Sequence, residues 1–118
     1  MDVASRDRAE PFTTKDGSTI RVLLDAAHGG AAYQSLAEAT LGPGQATERH
    51  YHGETEEIYV VLEGVGEMEV DGSVSHVGPG DAILIPPGAR HQIRADDAEL
   101  RFLCCCAPPY SDGDTYFD

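Results

Sequence analysis

Short β-forming runs, separated at even intervals by glycine and proline, constrain the fold of this chain more than any other feature. Each run is four to eight residues long and rich in β-branched, aromatic or other apolar residues, and helical periodicity is nearly absent after residue 42. Turns are predicted between the runs, for example at 63–66, 71–72, 78–81 and 86–88. The predicted strands are 19–24, 57–62, 67–70, 74–77, 82–85, 91–94 and 99–106. This pattern predicts an all-β sandwich or barrel.

Residues 31–41, AAYQSLAEATL, have a composition that suits a helix as well as a strand. Ala, Leu, Gln and Glu are good helix formers, and Tyr33, Leu36 and Leu41 could lie on one helical stripe. The segments on both sides are predicted strands, however, and the Gly-Pro-Gly sequence at 42–44 ends the segment abruptly. We therefore predict a strand here.

The length of 118 residues corresponds to one domain with a core of its own. No apolar run approaches the roughly 18 residues that a membrane span requires, and the charged start MDVASRDRAE does not resemble a secretory signal. The cytoplasm is therefore the expected compartment. We predict a flexible N-terminal arm at 1–10, a β-barrel domain at 11–110 and a C-terminal tail at 111–118.

The formal charge of the chain is -13, from 21 acidic and 8 basic residues. Such an acidic surface repels phosphate backbones and anionic lipids, so we expect neither nucleic acid nor membrane as a partner. Lys15 is the single lysine. Few lysines among many acidic residues would suit a protein solvated in high salt, although a GC-rich genome could bias the composition in the same way.

Three consecutive cysteines, Cys104, Cys105 and Cys106, lie in the last predicted strand. Neighbouring side chains on a strand point to opposite faces, so adjacent cysteines are badly placed to form a disulfide with each other. An odd, clustered count indicates reduced thiols. They could be soft metal ligands or redox sensors, but we expect them to be small apolar strand residues because no C-x-x-C spacing is present.

His50 and His52 are separated by one residue just before a predicted strand. Residues i and i+2 of an extended chain lie on one face, about 6 to 7 Å apart, so both imidazoles could point at one metal ion. The acidic run Glu54, Glu56 and Glu57 could supply a carboxylate, and His91 follows a proline-rich turn that could hold a fourth ligand. An H-x-H pair alone is better explained by solvated histidines at a surface turn.

The spacing around these residues resembles the two signatures of the cupin superfamily. The first signature runs from Gly44 through five residues, His50-x-His52, four residues, Glu57 and six residues to Gly64. The second runs from Gly80 through five residues, Pro86-x-Gly88 and two residues to His91, and it departs from the family only at Ala95, where many members have Asn. The resemblance covers residues 31–107 and is to small single-domain cupins.

The resemblance implies an antiparallel jelly-roll barrel, also called a double-stranded β-helix, with one divalent transition metal inside. The implied ligands are His50, His52, Glu57 and His91. Some cupins carry the acid one position earlier, which makes Glu56 the alternative, but the spacing to Gly64 favours Glu57. Three imidazoles and one carboxylate suit Fe, Mn, Ni, Co or Zn and leave coordination positions open for substrate or water.

Strand parity places further side chains on the same faces as the implied ligands. Tyr59 shares a face with Glu57 and Ile93 shares one with His91, and together with Phe102 they are the predicted lining of a substrate pocket. His76 and His28 lie outside both signatures, and we expect both to be exposed to solvent.

The implied ligand set favours a metal-dependent oxidoreductase of dioxygenase type acting on a small organic substrate. The alternatives are a non-redox metal-dependent isomerase, cyclase or lyase, with Glu56 or Tyr59 as a candidate base, and a barrel that binds a small ligand without turnover. Small cupins usually associate through their sheets, so a homodimer is expected, with the segment 11–24 able to add an edge strand.

Overall fold

The computed structural model describes residues 1–117, and they form almost entirely β-strands. Two short 3₁₀ turns, Arg6–Arg8 and Asp112–Asp114, are the helical elements of this part of the chain, and neither could cross a membrane. The strands are β1 (Phe12–Thr13), β2 (Thr19–Leu24), β3 (Ser35–Leu41), β4 (Tyr51–His52), β5 (Glu56–Glu63), β6 (Gly66–Val70), β7 (Ser73–Val77), β8 (Ala82–Ile85), β9 (His91–Ala95), β10 (Leu100–Ala107) and β11 (Thr115–Tyr116).

The strands form two facing walls with antiparallel pairing throughout. One wall is a six-stranded sheet in the order β1-β2-β3-β10-β5-β8. The other contains β7-β6-β9, and the segment before β4 continues it through the isolated bridges Ala46↔Arg94 and His50↔His91. The short β4–β11 pair lies at the end of that segment. Consecutive strands such as β5 and β6 lie in different sheets, so the all-β fold is an antiparallel jelly roll.

The predicted strands match the observed ones to within a residue or two at their ends. The ambiguous segment 31–41 contains strand β3 from Ser35 onward, which confirms the prediction of a strand for most of it. Its pairing with β2 and β10 on both sides outweighs the helical propensity of its residues. Ala95, where many cupins have Asn, is buried opposite Gly66, where a small side chain fits.

The core lies between the two walls and is formed by alternating residues of the strands. In β5, Glu57, Tyr59 and Val61 point inward, while Glu56 and Ile58 are exposed. Leu41, Met68, Ile85, Ile93, Leu100 and Phe102 are the largest of the other buried apolar side chains. This alternation directs Glu57 into the barrel and Glu56 out of it.

The two chain ends contact the barrel. Residues 1–10, which were predicted to form a flexible arm, include Arg6, whose Nε donates a hydrogen bond of 2.9 Å to Glu38 Oε1 on β3. Residues 111–118 were expected to form a tail, but β11 pairs with β4, and Asp118 lies outside the described residues. β1 pairs with β2 of its own chain and forms an edge of the larger sheet.

Candidate metal centre

Three histidines and one glutamate meet inside the barrel, between the two walls. His50 and His91 are brought together by a backbone bridge, and the His52 carbonyl accepts a hydrogen bond of 2.7 Å from Gly88 N. Ligand atoms of the three histidines lie within 4.8 Å of one another. Glu57 Oε1 lies 3.3 Å from His52 Nε2 and 3.5 Å from His91 Nε2. The structure therefore brings together all four residues that the cupin resemblance implied, and each of them is buried.

The local backbone fixes the orientation of two of the imidazoles. His50 Nδ1 lies 2.7 Å from the carbonyl oxygen of Glu48, and His91 Nδ1 lies 3.0 Å from that of Ala89. A carbonyl oxygen only accepts hydrogen bonds, so the proton of each neutral ring is on Nδ1. The lone pair of each Nε2 then points into the centre, as metal ligation requires.

His52 reaches the same tautomer through Thr115. The His50 carbonyl, two residues before His52, already accepts a hydrogen bond from the backbone N–H of His91. His52 Nδ1 instead lies 3.2 Å from Thr115 Oγ1, whose hydroxyl donates its hydrogen to the Ser111 carbonyl oxygen at 2.9 Å. The Thr115 oxygen must therefore accept the Nδ1 proton of His52, which leaves Nε2 free to bind a metal.

The glutamate presents one oxygen to the centre and uses the other for a hydrogen bond. The Cys106 thiol donates a hydrogen bond of 3.1 Å to Glu57 Oε2. Glu57 Oε1 and His91 Nε2 are buried and have no hydrogen-bond partner among the described residues. A carboxylate oxygen facing imidazole lone pairs is costly in a dry interior unless a positive charge lies between them. These residues therefore fit a divalent cation.

The pKa directions of Glu57 and His50 agree with a ligand set in its metal-binding form. Burial alone would raise the pKa of Glu57, but the nearby His52 and His91 outweigh burial and lower this pKa to about 2. Burial lowers the pKa of His50, and His91 adds to this effect. Burial also acts to lower the pKa of His52, but contact with Glu57 leaves it raised. Glu57 is therefore ionised and His50 is neutral at neutral pH, as metal ligation requires.

A cavity of about 90 Å³ opens from the centre toward the larger sheet. A single bound water needs on the order of 10–15 Å³, so the cavity can hold a small organic molecule. Tyr59 and Phe102 line this cavity, as expected from strand parity. Ile93 does not: it is fully buried in the core opposite Met68, because the cavity extends away from β9 toward β2 and β3.

Asp16 is a carboxylate beside the centre that the motif analysis did not identify. It lies in the turn between β1 and β2, and its Oδ2 is 3.9 Å from His50 Nε2. The carboxylate also lines the cavity. The resemblance began at residue 31, so Asp16 could have been found only by asking which polar turn residues face the predicted histidines.

The C-terminal segment also supports the centre, in a way the sequence did not indicate. Asp114 accepts hydrogen bonds from the backbone N–H groups of Gly53, Glu54 and Thr55, the loop that joins His52 to Glu57. Thr115, the next residue, holds His52. The segment predicted as a tail therefore fixes the loop between two of the candidate ligands.

The three cysteines have different environments. Cys104 and Cys106 line the cavity, and Cys105 lies on the other face of β10. All three are free thiols, and burial raises the pKa of each. Cys106 is buried in the core, as expected of a small apolar strand residue, and its thiol in addition donates a hydrogen bond to Glu57.

The remaining candidates of the sequence lie away from the centre. Glu56 is exposed on the outer face of β5, which removes it as a ligand and as a base for this cavity. His76 is exposed on β7, and His28 is exposed and paired with Asp25 at 2.8 Å. Both exposure predictions are confirmed.

Comparison with known proteins places the chain in one family. The family model described as "Cupin domain" matches residues 37–106. An uncharacterized protein of Methanocaldococcus jannaschii, MJ1618, is 46% identical over 110 residues, which cover 92% of this chain and 88% of that protein. The polyketide synthase CurC of Streptomyces cyaneus is 32% identical over 80% of this chain and 62% of its own length. The structure of the polyketide cyclase RemF from Streptomyces resistomycificus superposes with a TM-score of 0.80 at 29% identity, covering 97% of this chain and 89% of RemF. The chain belongs to the cupin family.

Proposed function

We propose that this cupin is a metal-dependent enzyme that performs non-redox chemistry, of cyclase or lyase type, on a small carbonyl compound. The observation that carries the proposal is the unpaired Glu57 Oε1 facing the imidazole Nε2 atoms at the wall of a cavity. Such a centre needs a cation, and the adjoining cavity gives a substrate access to it.

His50, His52, His91 and Glu57 are the residues that would hold the metal, through three Nε2 atoms and one carboxylate oxygen. A divalent cation bound there supplies a Lewis acid that polarises a carbonyl group. Thr115 orients His52 through a hydrogen bond to Nδ1, and the Cys106 thiol orients Glu57 by donating a hydrogen bond to its second oxygen.

The other cavity residues determine what happens around the carbonyl group. Tyr59, Phe102 and Ile20 provide aromatic and aliphatic walls that exclude water from a bound substrate. Asp16 is the carboxylate beside the centre that can receive a proton from a bound substrate. The candidate base Glu56 is replaced in this scheme by Asp16, because Glu56 faces solvent.

The likeness to RemF, named a polyketide cyclase, favours non-redox chemistry over the dioxygenase-type activity expected from the ligand set alone. CurC, named a polyketide synthase, points in the same direction. Neither name supports an oxidoreductase specifically, so that expectation stays a prediction.

The test is hydrogen–deuterium exchange at the carbon beside the carbonyl group in a panel of phenyl ketones. Protein loaded with redox-inert zinc is incubated with each ketone in D₂O under argon, and exchange is followed by proton NMR. We expect exchange to be faster than with free zinc at the same concentration. A carbonyl group that is polarised by a Lewis acid makes the C–H bonds on the adjacent carbon more acidic.

Glu57→Gln is the matched control, since it keeps the side-chain shape and removes the charge that a cation needs. This variant should exchange no faster than buffer. Conversion that requires both oxygen and a redox-active metal, with no exchange under argon, would contradict the proposal and favour the oxidoreductase.

A further inference from the structure

The two oxygens of the Asp16 carboxylate have different roles. Oδ1 accepts hydrogen bonds from Ser18, at 2.9 Å from the backbone N–H and at 2.6 Å from the hydroxyl. Oδ2 has no hydrogen-bond partner in the part of the chain that the structure describes, residues 1–117. The side chain is 14% exposed and is held in one orientation by the fully buried Ser18. Oδ2 is therefore an acceptor available to a molecule in the cavity.

Oδ2 of Asp16 lies close to the candidate metal centre. It lies 3.9 Å from His50 Nε2, one of the candidate ligand atoms. A substrate atom that faces the centre and a substrate atom that hydrogen-bonds to Asp16 must therefore be close neighbours in the substrate. Groups on adjacent carbon atoms satisfy this requirement.

The charges around the cavity determine what kind of group Asp16 can meet. Its described lining contains the carboxylates of Asp16, Asp25 and Glu57 and no lysine or arginine side chain. Asp25 is paired with His28 at 2.8 Å, whereas Asp16 lies 3.9 Å from the imidazole of His50, which is neutral at neutral pH. A substrate carboxylate or phosphate beside Asp16 would meet like charge, but a hydroxyl group would be a hydrogen-bond donor for it.

We propose that the substrate is a neutral carbonyl compound with a hydroxyl group on the adjacent carbon, and that Asp16 selects it by accepting the hydroxyl hydrogen at Oδ2. This inference rests on the proposed function, because the carbonyl oxygen is assigned to the metal centre. The rest of the molecule is apolar, since Phe12, Leu36 and Ala39 line the cavity beyond Asp16.

The test compares two probes that share a phenyl ketone and differ in the adjacent group. Benzoylcarbinol is neutral and has a CH₂OH group there, whereas benzoylformate has a carboxylate. Dissociation constants of both are measured by calorimetry on zinc-loaded protein of verified metal content. Asp16→Asn keeps an oxygen for Ser18 and can turn its amide N–H₂ toward the ligand, which replaces an acceptor by a donor.

We expect the preference for benzoylcarbinol over benzoylformate to fall on the order of tenfold or more in Asp16→Asn, because a charge-assisted hydrogen bond is lost and repulsion of the anion is relieved. Glu56→Gln is the matched control, because it neutralises a carboxylate that faces solvent outside the cavity and should leave the preference unchanged.

Three results would overturn the inference. One is an unchanged preference in Asp16→Asn at full metal content. A second is loss of zinc from that variant, which would make Asp16 a ligand. The third is the absence of benzoylcarbinol binding to the loaded wild type. The proposed function is judged separately, by zinc-dependent exchange and its loss in Glu57→Gln, so the two failures are distinguishable.

Discussion

At the level of single residues, the histidines of the centre differ in how their rings are held. His50 and His91 each bond to the carbonyl oxygen two residues earlier, so their orientation is set within their own segments. His52 lacks this option because the corresponding carbonyl is used by the β-bridge, and it depends on Thr115. The orientation of one candidate ligand is therefore determined by a residue 63 positions away.

Thr115→Val should weaken metal binding, because it keeps the side-chain shape and removes the acceptor for the His52 Nδ1 proton. Loss of such a supporting contact typically costs about 10–100-fold in metal affinity. Competition with a chelator of known affinity measures the change. Thr115→Ser retains the hydroxyl and should stay close to the wild type, and an unaltered affinity in Thr115→Val would contradict the role given to this residue.

Strand parity indicated from the sequence that His50 and His52 could share a metal ion, whereas the ligand roles of Glu57 and His91 were implied by the cupin resemblance. His50 and His52 lie two residues apart, and Glu57 is separated from Glu56 by its inward orientation on β5. Asp16, Thr115 and the Cys106–Glu57 bond could not be predicted in this way. They depend on contacts between segments that are distant in the sequence, and the periodicity of apolar residues does not indicate such contacts.

At the level of elements, the C-terminal segment and the loop at 53–55 form one unit around Asp114. Burial alone would raise the pKa of this carboxyl, but backbone N–H groups of the loop outweigh burial and lower the pKa below its ordinary value of 3.8. A lowered pKa in the folded state stabilises the fold above pH 3.8, and this stabilisation is lost as the pH falls through the folded-state value.

Asp114→Asn should therefore lower the thermal unfolding midpoint at pH 7 and have a smaller effect at pH 3, below the ordinary pKa of 3.8, where the stabilisation by the wild-type carboxylate diminishes. Thermal melts of both proteins, stripped of metal by a chelator, measure the two differences. Equal differences at the two pH values would show that the Asp114 charge does not stabilise the loop.

Gly64 terminates β5 where the chain crosses to the other sheet, and its conformation leaves no room for a side chain. Its φ is +84°, and an added Cβ would meet the backbone of Glu99 and Leu100. Gly72, in the turn between β6 and β7, has a φ of +85° with nothing within 4 Å of such a Cβ. Alanine substitutions at Gly64 and Gly72 therefore separate the cost of a positive φ, which both share, from the cost of steric overlap, which only Gly64 has.

Gly72→Ala should lower the free energy of unfolding by about 1–2 kcal/mol, the cost of the left-handed conformation. Gly64→Ala should cost about 1–3 kcal/mol more, because the neighbouring backbone must also move. Urea unfolding measures both, and equal costs would contradict the steric assignment.

Most strands were predictable, whereas the shortest ones were not. The longer strands show alternating residues bounded by turn residues, so they can be recognised from the sequence. β1, β4 and β11 have two residues each, too few to show any period. The pairing of β11 with β4 makes part of the predicted tail a strand of the barrel surface.

At the level of the whole molecule, the net charge of -13 opposes compactness through self-repulsion. Raising NaCl from about 0.01 to 1 M shortens the Debye length from about 30 to 3 Å and should raise the unfolding midpoint by several degrees. The double variant Glu67→Gln, Asp97→Asn removes two exposed charges and should show a smaller rise. A midpoint independent of salt in the wild type would contradict this account.

The association of two copies of this chain is a proposal. We propose a homodimer, as expected for a small cupin, and light scattering at micromolar concentration distinguishes it from a monomer. The fold itself was predictable because the two signatures carry a resemblance to the cupin superfamily, which implies a jelly-roll barrel. The size and direction of the cavity were not, since they depend on how β1, β2 and β3 curve over the centre.

The central claim is that His50, His52, Glu57 and His91 hold one divalent metal ion. Elemental analysis of protein purified without added metal tests it most directly, with the His91→Ala variant beside it. We predict about one transition-metal ion per chain in the wild type and a large loss in the variant. Wild-type protein that is empty as purified and stays empty after incubation with zinc, manganese, iron, cobalt or nickel would contradict the claim.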